Sequence, residues 1–164
     1  MPADLSVIQA LAARSIRYEE MACDPDLADT AQFCAAYNVP MDQSANTILV
    51  ASRKPEGHVA ACLVLATTRL DVNGIVRQRL GVRKASFASP EQTRELTGME
   101  IGGVTVFGLP SEIPIWIDSR VLAPEWVIIG AGSRTAKIKL DPRQFSLIEG
   151  VSIVEDLALL PASP

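Results

Sequence analysis

Apolar and polar positions change their spacing several times along the chain, and each change marks an element. Leu5, Ile8, Leu11 and Ala12 recur at helical spacing, which predicts an amphipathic helix over residues 4–14 starting at Asp4 or Ser6. Residues 17–21 follow as a short strand. Beyond Asp24-Pro25, the positions Leu27, Ala31, Cys34 and Ala35 predict a second helix that stops before Asn38-Val39-Pro40. Residues 47–52, Thr-Ile-Leu-Val-Ala-Ser, read as a buried strand. A turn over residues 53–57 leads into a second apolar strand, residues 58–66, and the two make a β-hairpin.

The next boundaries are written in capping chemistry. Asp71 can cap a helix that runs to Leu80 and stops at Gly81, after which residues 83–87 return as a strand. Ser89-Pro90-Glu91-Gln92 offers an N-cap, a proline at the first helical position and a capping-box partner, and the helix it starts should end near Thr97-Gly98. Residues 115–118, 126–129 and 135–140 read as strands, and Asp141-Pro142-Arg143-Gln144 repeats the same grammar for a last helix. About six strands with helices between them, and no regular βαβ alternation, predict an α+β fold with a curved mixed sheet surrounded by helices. The expected organisation is one domain over residues 1–160 and a frayed tail over 161–164.

Composition narrows the class. A chain of 164 residues can bury about 70% of its unfolded surface without staples. Hydrophobic residues make up 48% and charged residues 21%, ordinary globular usage. Cys23, Cys34 and Cys62 form neither a Cys-x-x-Cys pair nor an even set, so a reduced, cytoplasmic setting is the expectation. The start Met1-Pro2-Ala3-Asp4 lacks a basic leader, and the longest apolar run, residues 59–66, is far too short for a membrane helix. The net charge of −4 argues against a protein that coats nucleic acid such as DNA. Residues 1–45 are the acidic part; a basic cluster stands at Arg77, Arg79, Arg83 and Lys84.

Conventional catalytic constellations are missing. His58 is the single histidine and reads as a strand-end residue; no Gly-x-Ser-x-Gly elbow accompanies it. One histidine and three scattered cysteines give no metal-ligand spacing, and no cofactor is implied. The glycine-rich turns remain. Gly102-Gly103 follows a helix and can bring backbone N–H groups close to a bound oxygen, or simply bend the chain. Gly130-Ala131-Gly132-Ser133 closes a strand, either as a tight β-turn or as a second wall of the same cleft, and it lacks the Lys-Ser/Thr of a nucleotide loop.

Asn46-Thr47-Ile48-Leu49-Val50, Leu80-Gly81-Val82-Arg83-Lys84-Ala85, Ala88-Ser89-Pro90-Glu91, Leu96-Thr97-Gly98, Gly102-Gly103-Val104 with Phe107-Gly108, and Gly130-Ala131-Gly132-Ser133-Arg134 occur in an order and spacing that resembles the YbaK/prolyl-tRNA-synthetase editing-domain family. The resemblance spans about residues 42–147. It implies a hydrolase that acts in trans on the ester of a wrongly charged aminoacyl-tRNA, serving translation fidelity, with the tRNA acceptor end as partner and a substrate ribose hydroxyl helping to activate water. By that resemblance Gly102, Gly103 and Asn46 take the catalytic positions, and Thr47, Val104, Gly130, Ala131 and Gly132 the substrate-binding ones. Two positions depart from the family pattern. Asn46 stands where a lysine is usual, and Val106 stands where a Gly-x-x-x-Pro loop would place its proline. The alternatives are a deacylase of altered or reduced activity, a non-catalytic module that binds an aminoacyl-tRNA end, a nucleotide or a protein, and a stable domain whose partner uses the acidic N-terminal face. The oligomeric state stays open.

Overall fold

A computed structural model describes residues 4–160; the expected tail at 161–164 lies outside the described residues. Helix α1 (Leu5–Ala13) starts where Asp4 accepts the Ser6 N–H, and it buries Val7 and Leu11. Strand β1 (Tyr18–Ala22) is followed by a 3₁₀ turn and by α2 (Thr30–Tyr37), which stops at Asn38 in the left-handed conformation. The hairpin is β2 (Ala45–Lys54) and β3 (Glu56–Leu65). After the short β4 (Arg69–Leu70), the Asp71 carboxylate accepts the N–H groups of Gly74 and Ile75. The chain makes one π-helical turn there before α3 (Arg77–Leu80), so the predicted helix begins with a widened turn.

Strand β5 (Lys84–Phe87) leads to α4 (Pro90–Thr97), capped by the Ser89 hydroxyl on the Gln92 N–H and closed by Gly98 at φ +73°. Then come β6 (Ile115–Asp118), β7 (Val127–Gly130) and β8 (Ala136–Leu140). Residues Pro142–Leu147 form a 3₁₀ helix where an α-helix was expected. The Asp141 cap is present, but the Gln144 side chain is tied back to Arg17 and the chain leaves after six residues. Two strands that the sequence pattern did not announce complete the chain, β9 (Val151–Val154) and β10 (Ala158–Leu159).

The expected curved sheet of about six strands resolves into three sheets among the described residues. The largest has the order β5-β2-β3-β6-β9, antiparallel through the hairpin and parallel from β3 to β9. A second, β1-β8-β7, is antiparallel, and β4 pairs with β10. A parallel bridge between Ser44 and Ile128 joins the first two where β2 and β7 approach.

Burial on both faces explains the apolar run of the hairpin. Leu49, Ala61 and Leu63 enter the core shared with Val7, Leu11, Phe107, Ile129 and Phe145. Val50, Ala60, Cys62 and Val64 enter a second core with Trp116 on the other side. Helix α2 lays Phe33 and Cys34 against Ile128 in a third cluster.

Candidate functional site

The seam between β2 and β7 holds a cavity of about 250 Å³, closed on one side by the start of α2 and on another by the loop after α4. Asn46, Thr47, Gly102, Val104 and Gly130 all line it. The Asn46 side-chain oxygen accepts the Thr30 hydroxyl at 2.5 Å, which ties β2 to α2 across the opening. Thr47 brings a hydroxyl oxygen that is buried without a hydrogen-bond partner.

Gly103, Ala131 and Gly132 stand behind the cavity wall. The Gly103 N–H is given to the Glu100 carbonyl at 2.8 Å, and the Gly103 carbonyl accepts the Gly132 N–H at 2.6 Å. A Cβ at Gly103 would fall 2.4 Å from the Ser133 carbonyl oxygen, and one at Gly130 would fall 2.3 Å from that of Val104. These glycines let two backbones pack against each other. Ala131 is fully buried in the main core, where it does not enlarge the cavity, and Val106, at the family proline position, is 2% exposed in that same core. Gly102 reaches the cavity with its neighbours Ile101 and Val104, at φ +93°, and its carbonyl accepts a side-chain hydrogen bond.

That bond comes from Lys137, which the sequence reading passed over. Ala136, Ile138 and Leu140 alternate with Lys137 and Lys139 along β8, a pattern that reads as one buried and one solvated face. Lys137 is covered instead, by Phe33 of α2 and by Ala28 just before that helix. Lys137 is 7% exposed, lines the cavity, and donates to the carbonyls of Ala28 at 2.7 Å and Gly102 at 2.6 Å, with its nitrogen 5.4 Å from the centre of the Phe33 ring. Burial holds its pKa below the usual lysine value. Arg134 works beside it, donating to Pro25 and Ile101 carbonyls and pairing with Asp29 at 3.1 Å. The two cations fasten the segment before α2 to the Gly102 loop. Burial also pushes the thiols of Cys23 and Cys34 up, which keeps both neutral beside Lys137.

The other candidates lie elsewhere. His58 is exposed at the start of β3 with its N–H on the Ser52 hydroxyl. The Cys62 thiol is pushed up to about 12 by burial in the second core, and Arg79 of the basic cluster sits 4.9 Å above Trp116. Among the described residues no cluster of His, Cys, Asp and Glu could hold a metal ion, and no helix is long and apolar enough to cross a membrane.

Residues 24–146 match the family model of the aminoacyl-tRNA editing domain. The chain belongs to that family. Every element that encloses the cavity falls within the matched span. The uncharacterized protein YwhH of Bacillus subtilis (strain 168) is 33% identical over 114 residues, which are 65% of this chain and 72% of that protein. Solved structures share the editing-domain fold. The hypothetical protein APE2540 superposes with a TM-score of 0.82 at 24% identity, covering 93% of this chain and 99% of that one. A candidate trans-editing enzyme for prolyl tRNA synthetase gives 0.77 at 22% identity, covering 92% and 93%. This editing domain therefore carries Asn46 at a place where the sequence resemblance implies a lysine, and has a buried lysine of its own on β8.

Proposed function

We propose that the protein is a trans-acting aminoacyl-tRNA deacylase whose active site is the cavity between β2 and β7. The observation that carries this reading is the meeting of Asn46, Thr47, Gly102 and Gly130 around one enclosed space in a chain of the editing family. The terminal adenosine enters over Asn46, the esterified amino acid occupies the cavity, and water attacks the ester carbonyl. The water oxygen bonds to the carbonyl carbon, the carbonyl electron pair moves onto its oxygen, and collapse of that intermediate breaks the bond to ribose. The departing ribose oxygen takes up the proton that water gives. Free amino acid and uncharged tRNA result.

The apolar lining, Phe33, Ile101, Val104, Ile128 and Ile129, supports a small or medium side chain in the cavity and removal of bulk water from the ester. A panel of matched and mismatched aminoacyl-tRNAs, incubated with the wild type and with Gly102→Leu, tests the reading. A Cβ at Gly102 already falls 2.3 Å from the Arg134 guanidinium and 3.2 Å from the Asp29 carboxylate, so a leucine there displaces the ion pair beside the cavity. Release of one mischarged amino acid, lost in Gly102→Leu, is expected. No release from any tRNA by folded wild type transfers the assignment to a binding module without turnover.

A further inference from the structure

Lys137 carries a charge that no carboxylate of the described residues meets in an ion pair; Asp29, on the wall of the same cavity, acts on it only at longer range. An ammonium has three N–H donors. Two are used on the carbonyls of Ala28 and Gly102, and no third acceptor stands within hydrogen-bond reach among the described residues. No carboxylate of the described residues makes an ion pair with it, since the neighbouring Asp29 is bonded to Arg134. Buried cations without a counter-charge are costly, and the cost is recovered when a ligand brings the opposite charge. The ligand space is at hand, because Lys137 forms part of the cavity wall.

A second observation concerns the competing donors. Of the peptide N–H groups in the Gly102-Gly103 turn, that of Gly103 is already spent on Glu100. Asn46, the residue at the family lysine position, is neutral and is engaged by Thr30. A negative charge that develops inside this cavity therefore meets one cation among the described lining residues, Lys137, while the one lining carboxylate, Asp29, is paired with Arg134.

We propose that the Lys137 ammonium is a catalytic residue that faces the carbonyl oxygen of the bound ester and takes up its negative charge in the tetrahedral intermediate. The assignment rests on the deacylase reading above. It moves the electrostatic work of the site from β2 to β8, with Lys137 supplying from the wall of the same cavity the charge that position 46 does not.

Lys137→Gln separates charge from scaffolding, because the glutamine amide can still donate to the two carbonyls while carrying no charge. With the tRNA that wild type deacylates, kcat is expected to fall on the order of 100-fold, the size found for loss of one oxyanion donor, with KM within about 3-fold. Adding Asn46→Lys to that variant returns charge to the cavity and is expected to restore about 10-fold of the loss. A kcat within about 3-fold of wild type in folded Lys137→Gln overturns the proposal. Where the glutamine variant does not fold, Lys137→Arg keeps the charge, and its inactivity in a folded protein overturns the proposal equally.

Calorimetric binding keeps this test apart from the deacylase reading. Two adenosine analogues are compared, one with a planar neutral 3′-amide and one with an anionic tetrahedral 3′-phosphonate. Wild type should bind the phosphonate at least about 10-fold more tightly, and Lys137→Gln should lose that preference. If wild type deacylates nothing, the function assigned above fails and the catalytic role fails with it, whatever the preference; where wild type deacylates, the preference tests Lys137 alone. An absent preference, or one unchanged in the variant, overturns the proposal.

Discussion

A lysine that exchanges water for two peptide carbonyls and a phenyl ring gives up hydration on folding, and the consequence is visible in stability against pH. Burial lowers the Lys137 pKa in the native state, whereas the unfolded chain titrates at the ordinary value of 10.5. Between those two values the unfolded state binds more protons, so stability rises with pH across the window and the penalty is largest below it. Asp29, Arg134, Cys23 and Cys34 face the group and are present in both proteins of a comparison with Lys137→Gln. Melting curves from pH 7 to pH 10.5 should show wild type gaining on the variant as pH rises; a constant difference would refute a buried ammonium. Residues of this kind mark the limit of reading a site from sequence. Asn46, Thr47 and Gly102 were named through the family resemblance, and all three line one cavity. Lys137 was hidden by an alternation that is true of its strand and says nothing about the helix lying over it.

At the scale of elements, caps were the most legible feature, since an N-cap is a contact between neighbours in sequence: Asp4, Asp71, Ser89 and Asp141 all act as predicted. The strands from 151 onward were not, because their partners are remote. Asp118, fully buried at the end of β6, shows what holds them. Its carboxylate accepts the Ala158 N–H at 2.7 Å and the Arg120 N–H at 2.8 Å, while the Arg120 guanidinium lies 3.1 Å from it and also donates to the Ala158 carbonyl. Asp118→Ala strips β10 of its anchor and leaves a buried N–H unpaired. A loss of about 2–3 kcal/mol in urea unfolding is expected. Amide exchange should quicken first at residues 157–159, and uniform quickening would show that Asp118 serves the whole sheet instead.

The molecule as a whole is larger than the span that identifies it. The family match covers residues 24–146, yet β1 pairs with β8 along its full length and β9 extends the main sheet beside β6. A fragment limited to 24–146 would expose the β8 edge and the core surface under Val7 and Leu11. By circular dichroism and thermal melting it should lack a cooperative transition, and a cooperative melt like that of the full chain would show the flanking strands to be dispensable. Mixed α+β character followed from the order of the predicted elements, whereas the division into sheets did not, because it depends on which distant strands meet. The pairing of Tyr18 with Leu140 also sets a schedule for birth at the ribosome. Residues 18–22 wait unpaired until residues 136–140 have been made, so a nascent chain carries an open edge throughout that interval.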